Sequence, residues 1–360
     1  MHTAGIPTSS AIPRAMADFT PEWLTTVLSP SFPGLIVSSA TVETINTGVA
    51  MTARIHLTYE NDSPAYPRSV CVKCCFGSPH SPVMLDGGLY AKEAYMYGRM
   101  LPDLPLNVPR CFSCGSDDDT KSAYIMLEDL TLRDGTFCSA DRSLTVEQVD
   151  DVLSQQAAMH AMTWDAPWLH DRRWLHHGIP LGQRDPFYDL YTARIPEFLE
   201  MPRGGALPKR FRDPQFLRET LYRLLDLDGR ATPCLVHGDA HTGNLFIDGE
   251  GRPGLLDWQC ARAGHWSLDV AKTMMSALDP EDRRSSEKDL LRRYLETLAG
   301  HGAPAPDWDE AWDSYRRHAV FGLWIWLVTP PDMQTELRVT ATVYKFGVAA
   351  IDLDVMEAMA

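Results

Sequence analysis

The chain has 360 residues, 44% hydrophobic and 22% charged, enough to bury a sizeable core and to fill two lobes. Its 33 Lys and Arg stand against 48 Asp and Glu, a formal charge of −15. That balance speaks against nucleic acid or an anionic membrane as partner, because neutralising phosphates takes basic patches. The longest apolar run, 319–328, is about half of the ~20 residues that a bilayer-spanning helix needs. The N-terminus has no apolar stretch before a small-residue cleavage site, so neither a membrane segment nor a signal peptide is expected and the cytoplasm is the default.

Residues 1–19, rich in small residues, Ser and Pro, predict a mobile tail. Thr20-Pro21-Glu22-Trp23 then predicts a helix start, with a hydroxyl cap, Pro at the first position and a carboxylate in the first turn. The β-branched run 40–59, interrupted by Gly48, reads as two strands around a turn. The segment 70–76 reads as a buried strand, 77–88 as a loop, and Leu89 to Leu101 as a helix. Pro109 to Cys114 and Ala123 to Glu128 flank the polar turn 115–119 and predict a hairpin. From Thr145, paired with Gln148 as a capping box, the pattern turns helical, with loops at 202–214 and 300–306. A boundary is expected near 128–132, dividing an N-terminal lobe (20–130) from a larger helical lobe (131–360). Cys71-x-x-Cys74 and Cys111-x-x-Cys114 carry zinc-like spacing. Cys71 and Cys74, however, lie three apart on a strand and so face opposite ways, and buried free thiols are the expectation.

Lys73 is the only charge in its apolar strand. In the following helix Leu89, Glu93, Met96, Tyr97 and Met100 fall at helical spacing, which sets Glu93 on the apolar face. Two opposite charges, each where an apolar residue belongs, predict a Lys73–Glu93 ion pair, which taken alone is as consistent with a structural role as with a functional one. The densest polar stretch is His237-Gly238-Asp239-Ala240-His241-Thr242-Gly243-Asn244, followed thirteen residues later by Asp257 at the end of an apolar strand. A reversal centred between Glu250 and Gly251 would set Asn244 opposite Asp257 in an antiparallel pair. An amide oxygen and a carboxylate so placed suit Mg²⁺, and Asp239 on the connecting loop is placed to accept a proton from a hydroxyl nucleophile.

With these motifs the sequence resembles the aminoglycoside-phosphotransferase-like branch of the protein-kinase-like superfamily, in particular its ecdysteroid-kinase-like and choline-kinase-like small-molecule kinases. The segment 237–244 is similar to the catalytic loop of that family, and Leu255-Leu256-Asp257-Trp258 to its metal-binding segment. Tyr124 to Leu130 is similar to the hinge between lobes, and Ser267-Leu268-Asp269-Val270-Ala271 to a later segment in which Asp269 is structural. The resemblance implies an α+β, bilobal protein-kinase-like fold, with an N-terminal antiparallel sheet carrying one helix and a mainly helical C-terminal lobe. It also implies ATP and Mg²⁺ as cofactors. Lys73, held by Glu93, would contact the phosphates, Gly48 would lie in the phosphate-covering loop, and the backbone of Met126, Leu127 and Glu128 would hold the adenine. Asn244 and Asp257 would bind the metal, Asp239 would be the base, and His237 would brace the loop. The covering loop departs from protein kinases in having one glycine. Position 241, where they commonly carry Lys, is His241, which favours a small-molecule acceptor.

The function expected is thus ATP- and Mg²⁺-dependent phosphorylation of a hydroxyl on a small molecule: an antibiotic, an amino alcohol or a sterol-like alcohol. A pseudokinase that binds nucleotide or metabolite without chemistry, and a protein kinase, are the alternatives. His241, Trp312 and Trp324 are candidates for the acceptor pocket, where aromatics and carboxylates suit a cation. Packing of a helical core explains such aromatics equally well. The oligomeric state is not readable from the sequence.

Overall fold

The computed structural model describes residues 12–77, 85–170 and 186–359. They fall into two compact units, one made of Met1–Leu104, Val108–Thr136 and Leu256–Cys260, the other of Pro105–Asn107, Phe137–Leu255 and Ala261–Ala360.

The first unit is built on an antiparallel sheet of five strands, β1 (Val37–Thr47), β2 (Met51–Tyr59), β3 (Ser69–Cys74), β4 (Cys111–Ser116) and β5 (Ala123–Glu128), in the order β1-β2-β3-β5-β4. Both expected hairpins form. The β4–β5 turn is closed by Asp117, whose carboxylate accepts the N–H and hydroxyl of Thr120 at 2.7 and 2.9 Å. Helix α1 (Pro21–Leu28) starts as its sequence dictates, with the Thr20 hydroxyl accepting the Trp23 N–H. Its Leu24, Val27 and Leu28 join Ala53, Ile55, Val70, Val72, Cys74, Tyr124 and Met126 in one core. Because strand side chains alternate, a core containing Val70, Val72 and Cys74 leaves Cys71 and Lys73 on the opposite face. There Lys73 meets helix α2 (Leu89–Tyr95) through Glu93.

Three expectations are corrected. Of the supposed tail, residues 1–11 lie outside the described residues, but residues 12–19 pack: Phe19 is 4% exposed, and Ile12 and Met16 lie against the sheet core. These three apolar side chains are scattered through a Ser- and Pro-rich stretch, so composition alone hides them. The second helix ends at Tyr95 rather than Leu101, passing into a π-helical turn, Met96–Met100, and a short turn, Leu101–Asp103. Gly98 and Pro102 weaken the regular ladder there. The 202–214 loop contains a helix, Pro202–Ala206, whose buried Arg203 binds the Glu336 carboxylate at 2.6 Å and the carbonyl of Leu327 at 3.0 Å. These tertiary bonds outweigh the poor helix propensity of Gly204 and Gly205. All eight cysteines are free and the described residues hold no four-thiolate cluster; Cys71 and Cys111 flank Leu127 from its two sides.

A two-residue strand, β6 (Thr136–Phe137), precedes the helical part of the second unit. There α3 (Val146–Met162) opens on the expected capping box, with Thr145 and Gln148 bonding each other's backbone at 3.2 and 3.1 Å. Helices α4 (Pro186–Thr192), α5 (Ile195–Leu199), α6 (Pro202–Ala206) and α7 (Pro214–Asp228) follow. Four short strands come next: β7 (Cys234–Val236), β8 (Leu245–Ile247), β9 (Pro253–Leu255) and β10 (Arg262–Gly264), with β7 paired to β10 and β8 to β9. The chain closes with α8 (Ser267–Ala277), α9 (Pro280–Gly300), α10 (Trp308–Arg317), α11 (Ala319–Leu327), α12 (Glu336–Asp352) and α13 (Val355–Ala358). Among the described residues no helix is long and apolar enough to cross a membrane.

Candidate active site

In the first unit the Lys73 ammonium lies 2.8 Å from Glu93 and 2.9 Å from Asp257. The expected pair is therefore a cluster of three charges from β3, α2 and the segment after β9. Glu93 is 3% exposed, and burial pushes its carboxyl up to about 7 against the opposing pull of Lys73. Burial alone would lower the ammonium's pKa, but Asp257 and Glu93 together outweigh it and raise it, so Lys73 stays charged. Asp257 is a non-glycine residue held at φ 61°, a conformation that costs free energy and persists only where its surroundings over-determine it. Gly48 sits in the β1–β2 turn, its N–H donating to the Asn46 side chain at 3.0 Å. Met126, Leu127 and Glu128 are the last residues of β5, after which Asp129 leaves the sheet. Burial opposes the charge of Asp129, but bonds from Arg54, Ser69 and Thr131 bring its carboxyl down to about 2.

In the second unit the 237–244 loop connects β7 to β8. His237 is fully buried, and its Nδ1 accepts the backbone N–H of Asp239 at 3.2 Å. Gly238 turns the chain at φ 78°, which a glycine adopts without steric cost. Asn244 donates through Nδ2 to the Asp239 carbonyl at 2.9 Å and faces its carboxylate at 3.3 Å. His241 points Nε2 at the same carboxylate from 3.5 Å. Asp239, with 28% of its side chain exposed, is also bonded by the Lys272 ammonium at 2.5 Å. Burial alone would raise the Asp239 carboxyl, but Lys272 and His241 hold it well below the usual carboxylate range.

One face of α8 holds this loop. Asp269 accepts the backbone N–H groups of His237 and Gly238 at 2.6 and 2.9 Å, Lys272 donates to the Gly238 carbonyl, Thr273 to the Ala240 carbonyl, and Ser276 accepts the Thr242 N–H. Residues 269, 272, 273 and 276 share a helix face by spacing. Only Asp269 is marked by sequence resemblance; the signal for the rest is four polar residues at helical spacing inside a helix buried all round.

The expected register of the Gly-rich reversal is corrected. The ladder reads Leu245↔Leu255, Phe246↔Gly254 and Ile247↔Pro253, which centres the reversal on Glu250 and does not pair Asn244 with Asp257. The cause is Asp248, whose carboxylate accepts the N–H groups of both Glu250 and Arg252 and closes a five-residue turn. Of the three pocket candidates only His241 stands at Asp239. Trp324 has no exposed surface and donates to Thr192 at 3.2 Å. Trp312 stacks on Trp308 and lies against Lys288. The aromatic packed on His241 is instead Trp326, edge-on at 4.8 Å, and its buried indole N–H has no hydrogen-bond partner among the described residues.

A family model described as "Phosphotransferase enzyme family" matches residues 90–312. Among solved structures, the chain is similar to an ethanolamine kinase of Plasmodium vivax, with a TM-score of 0.54 at 11% identity over 89% of this chain and 83% of that one. It is also similar to a macrolide 2'-phosphotransferase type I (TM-score 0.46, 15% identity, 92% and 97% covered) and to the choline kinase LicA of Streptococcus pneumoniae (0.44, 12%, 90% and 98%). No curated protein matches the chain.

Proposed function

Because the chain belongs to the phosphotransferase enzyme family, as one of the small-molecule kinases of protein-kinase-like fold, we propose that it transfers the γ-phosphoryl group of ATP to a hydroxyl of a small organic molecule. The observation that carries this reading is the Lys73–Glu93–Asp257 cluster, three charges from distant stretches brought within 3 Å contacts and largely buried. Such desolvation is costly unless the charges serve one another or a ligand.

Lys73, fixed by Glu93, would bind the ATP phosphates. The backbone at Met126, Leu127 and Glu128 would receive the adenine, with Gly48 in the covering turn. The residues that would hold Mg²⁺ are Asn244 and Asp257, each by its own chemistry: Asn244 spends its amide N–H on the Asp239 carbonyl, which leaves its oxygen for a hard cation, and Asp257 offers a carboxylate. When bound, the metal would neutralise charge on the phosphates. Asp239 would orient the acceptor hydroxyl. As the acceptor oxygen bonds to the γ-phosphorus and the bond from the γ-phosphorus to the β–γ bridging oxygen breaks, the hydroxyl proton passes to Asp239 and ADP leaves. His237, bonded to the backbone at Asp239, braces the loop.

The test is a mass-spectrometric screen of the protein with Mg-ATP and pooled alcohols, amino alcohols first, given the ethanolamine kinase of like fold, then macrolides, aminoglycosides and sterols. A species heavier by one phosphoryl group, absent with D239N, supports the reading. D257N is expected to lose Mg²⁺-dependent nucleotide binding, and D239N to keep binding while losing turnover. Both variants at full activity would refute the assignment.

A further inference from the structure

We propose that Lys272 is the positioning residue of the base, holding one oxygen of Asp239 so that the other is presented to the acceptor hydroxyl. This rests on the reading of Asp239 as the base.

A lysine is almost never fully buried unless paired, and Lys272 is 1% exposed. Its ammonium is satisfied by the 237–244 loop and one ring: Asp239 Oδ1 at 2.5 Å, the Gly238 carbonyl at 3.2 Å and the face of Phe321 at 5.5 Å. The second carboxylate oxygen has looser company, Asn244 Nδ2 at 3.3 Å and His241 Nε2 at 3.5 Å. Both distances are longer than a good hydrogen bond. Oδ1 is therefore committed and Oδ2 is the oxygen left to take a proton. A purely structural brace would suffice with backbone contacts, and Asp269, Thr273 and Ser276 already supply those from the same helix face. Lys272 differs from them in reaching the carboxylate itself. It arrives from α8, 33 residues after Asp239, so nothing within the loop motif announces it.

The probe is hydrolysis of Mg-ATP with water as acceptor, followed as phosphate release, with Mg-ADP binding measured by calorimetry. K272M and K272Q are expected to lose about 10²-fold in kcat, the scale of one positioned acid–base group. Their KM for ATP and affinity for Mg-ADP should stay within about twofold of wild type. In a D239N background K272M is expected to cost nothing further, because the group it acts through is gone. An unchanged kcat for K272M, or an equal loss in both backgrounds, overturns the proposal. D239N turning over at the full rate overturns instead the assignment of the base. Should wild-type hydrolysis prove too slow to follow, wild type, K272M, D239N and the double variant are compared by urea unfolding. Destabilisation by K272M that vanishes in the D239N background supports the pairing, and additive losses overturn it.

Discussion

Asp269→Asn tests whether α8 holds the loop as described. The native carboxylate is fully buried; Oδ2 accepts the His237 N–H at 2.6 Å and faces His160 Nε2 at 3.4 Å, while Oδ1 accepts the Gly238 N–H at 2.9 Å. An asparagine of the same shape has one acceptor oxygen and one NH₂, so in either orientation one of the two backbone donors faces another donor. A buried donor without a partner costs about 1–3 kcal/mol, and the surviving bond loses its charge assistance, worth about another 1 kcal/mol. Together these come to about 2–4 kcal/mol; the relief of burying a neutral amide offsets part of this, and the expected net loss is about 1–3 kcal/mol. Urea unfolding reads it directly, and in thermal melts it corresponds to a fall in Tm of about 2–12 °C for a unit of this size. The deficit has a pH signature. Burial alone would raise the Asp269 carboxyl, but its hydrogen bonds and the nearby histidines hold it below its ordinary value. The stability it confers is therefore complete above the unfolded pKa near ~4 and is lost as pH falls through the depressed folded value. The gap between wild type and D269N is thus expected to be full at neutral pH and to close under acid. A loss below about 0.5 kcal/mol, within the range of an ordinary surface substitution, would refute the view that this carboxylate holds the loop.

Glu93 titrates with the opposite sign. Its folded pKa is raised to about 7, so its charge costs stability above that value and protonation recovers it as pH falls toward the unfolded value near ~4.3. Melts of wild type against E93Q from about pH 5 to about pH 8 should show wild type losing ground as pH rises, and parallel curves would contradict the buried cluster. The two tryptophans of α11 also separate. W324F removes the donor to Thr192, whereas W326F removes an indole N–H that has no partner among the described residues. W324F is therefore expected to be the more destabilising by about 1 kcal/mol in urea unfolding, and the reverse order would show that Trp326 finds a partner in solution.

Much of the fold was legible because its signals are local. The β1–β2 and β4–β5 hairpins follow from β-branched runs broken by turn residues, and the Thr20 and Thr145 caps from four-residue patterns. The Lys73–Glu93 contact was legible for a different reason: each charge interrupts an apolar periodicity, and two misplaced opposite charges solve each other's desolvation. That Asp257 joins them at 2.9 Å was not legible from spacing. The antiparallel count pointed Asp257 at Asn244 instead, and it failed by one residue because Asp248 closes a wider turn than the Gly-rich sequence suggests. Arg203 and the helix around it were missed because Pro202, Gly204 and Gly205 advertise a loop, and the partners that make a helix worthwhile there, the Glu336 carboxylate and the Leu327 carbonyl, lie far along the chain.

The loop at 237–244 shows why a motif can be read while its support cannot. Its own residues set its identity, but its conformation depends on donors and acceptors it does not contain. The chain turns at Gly238 at positive φ, with the N–H groups of His237 and of Gly238 itself directed at Asp269, and a backbone bent in this way stays bent only if those groups are paired. Once Asp269 is fixed on α8, helical geometry places positions 272, 273 and 276 along the remainder of the loop, and each of these residues carries the group its neighbour requires: an ammonium for a carboxylate, a hydroxyl for the Ala240 carbonyl, an oxygen for the Thr242 N–H. Substituting any one of them leaves a specific partner unpaired in a buried setting. On this reasoning the loop and the α8 face form a single cooperative unit, and stability losses at 269, 272, 273 and 276 are coupled rather than additive.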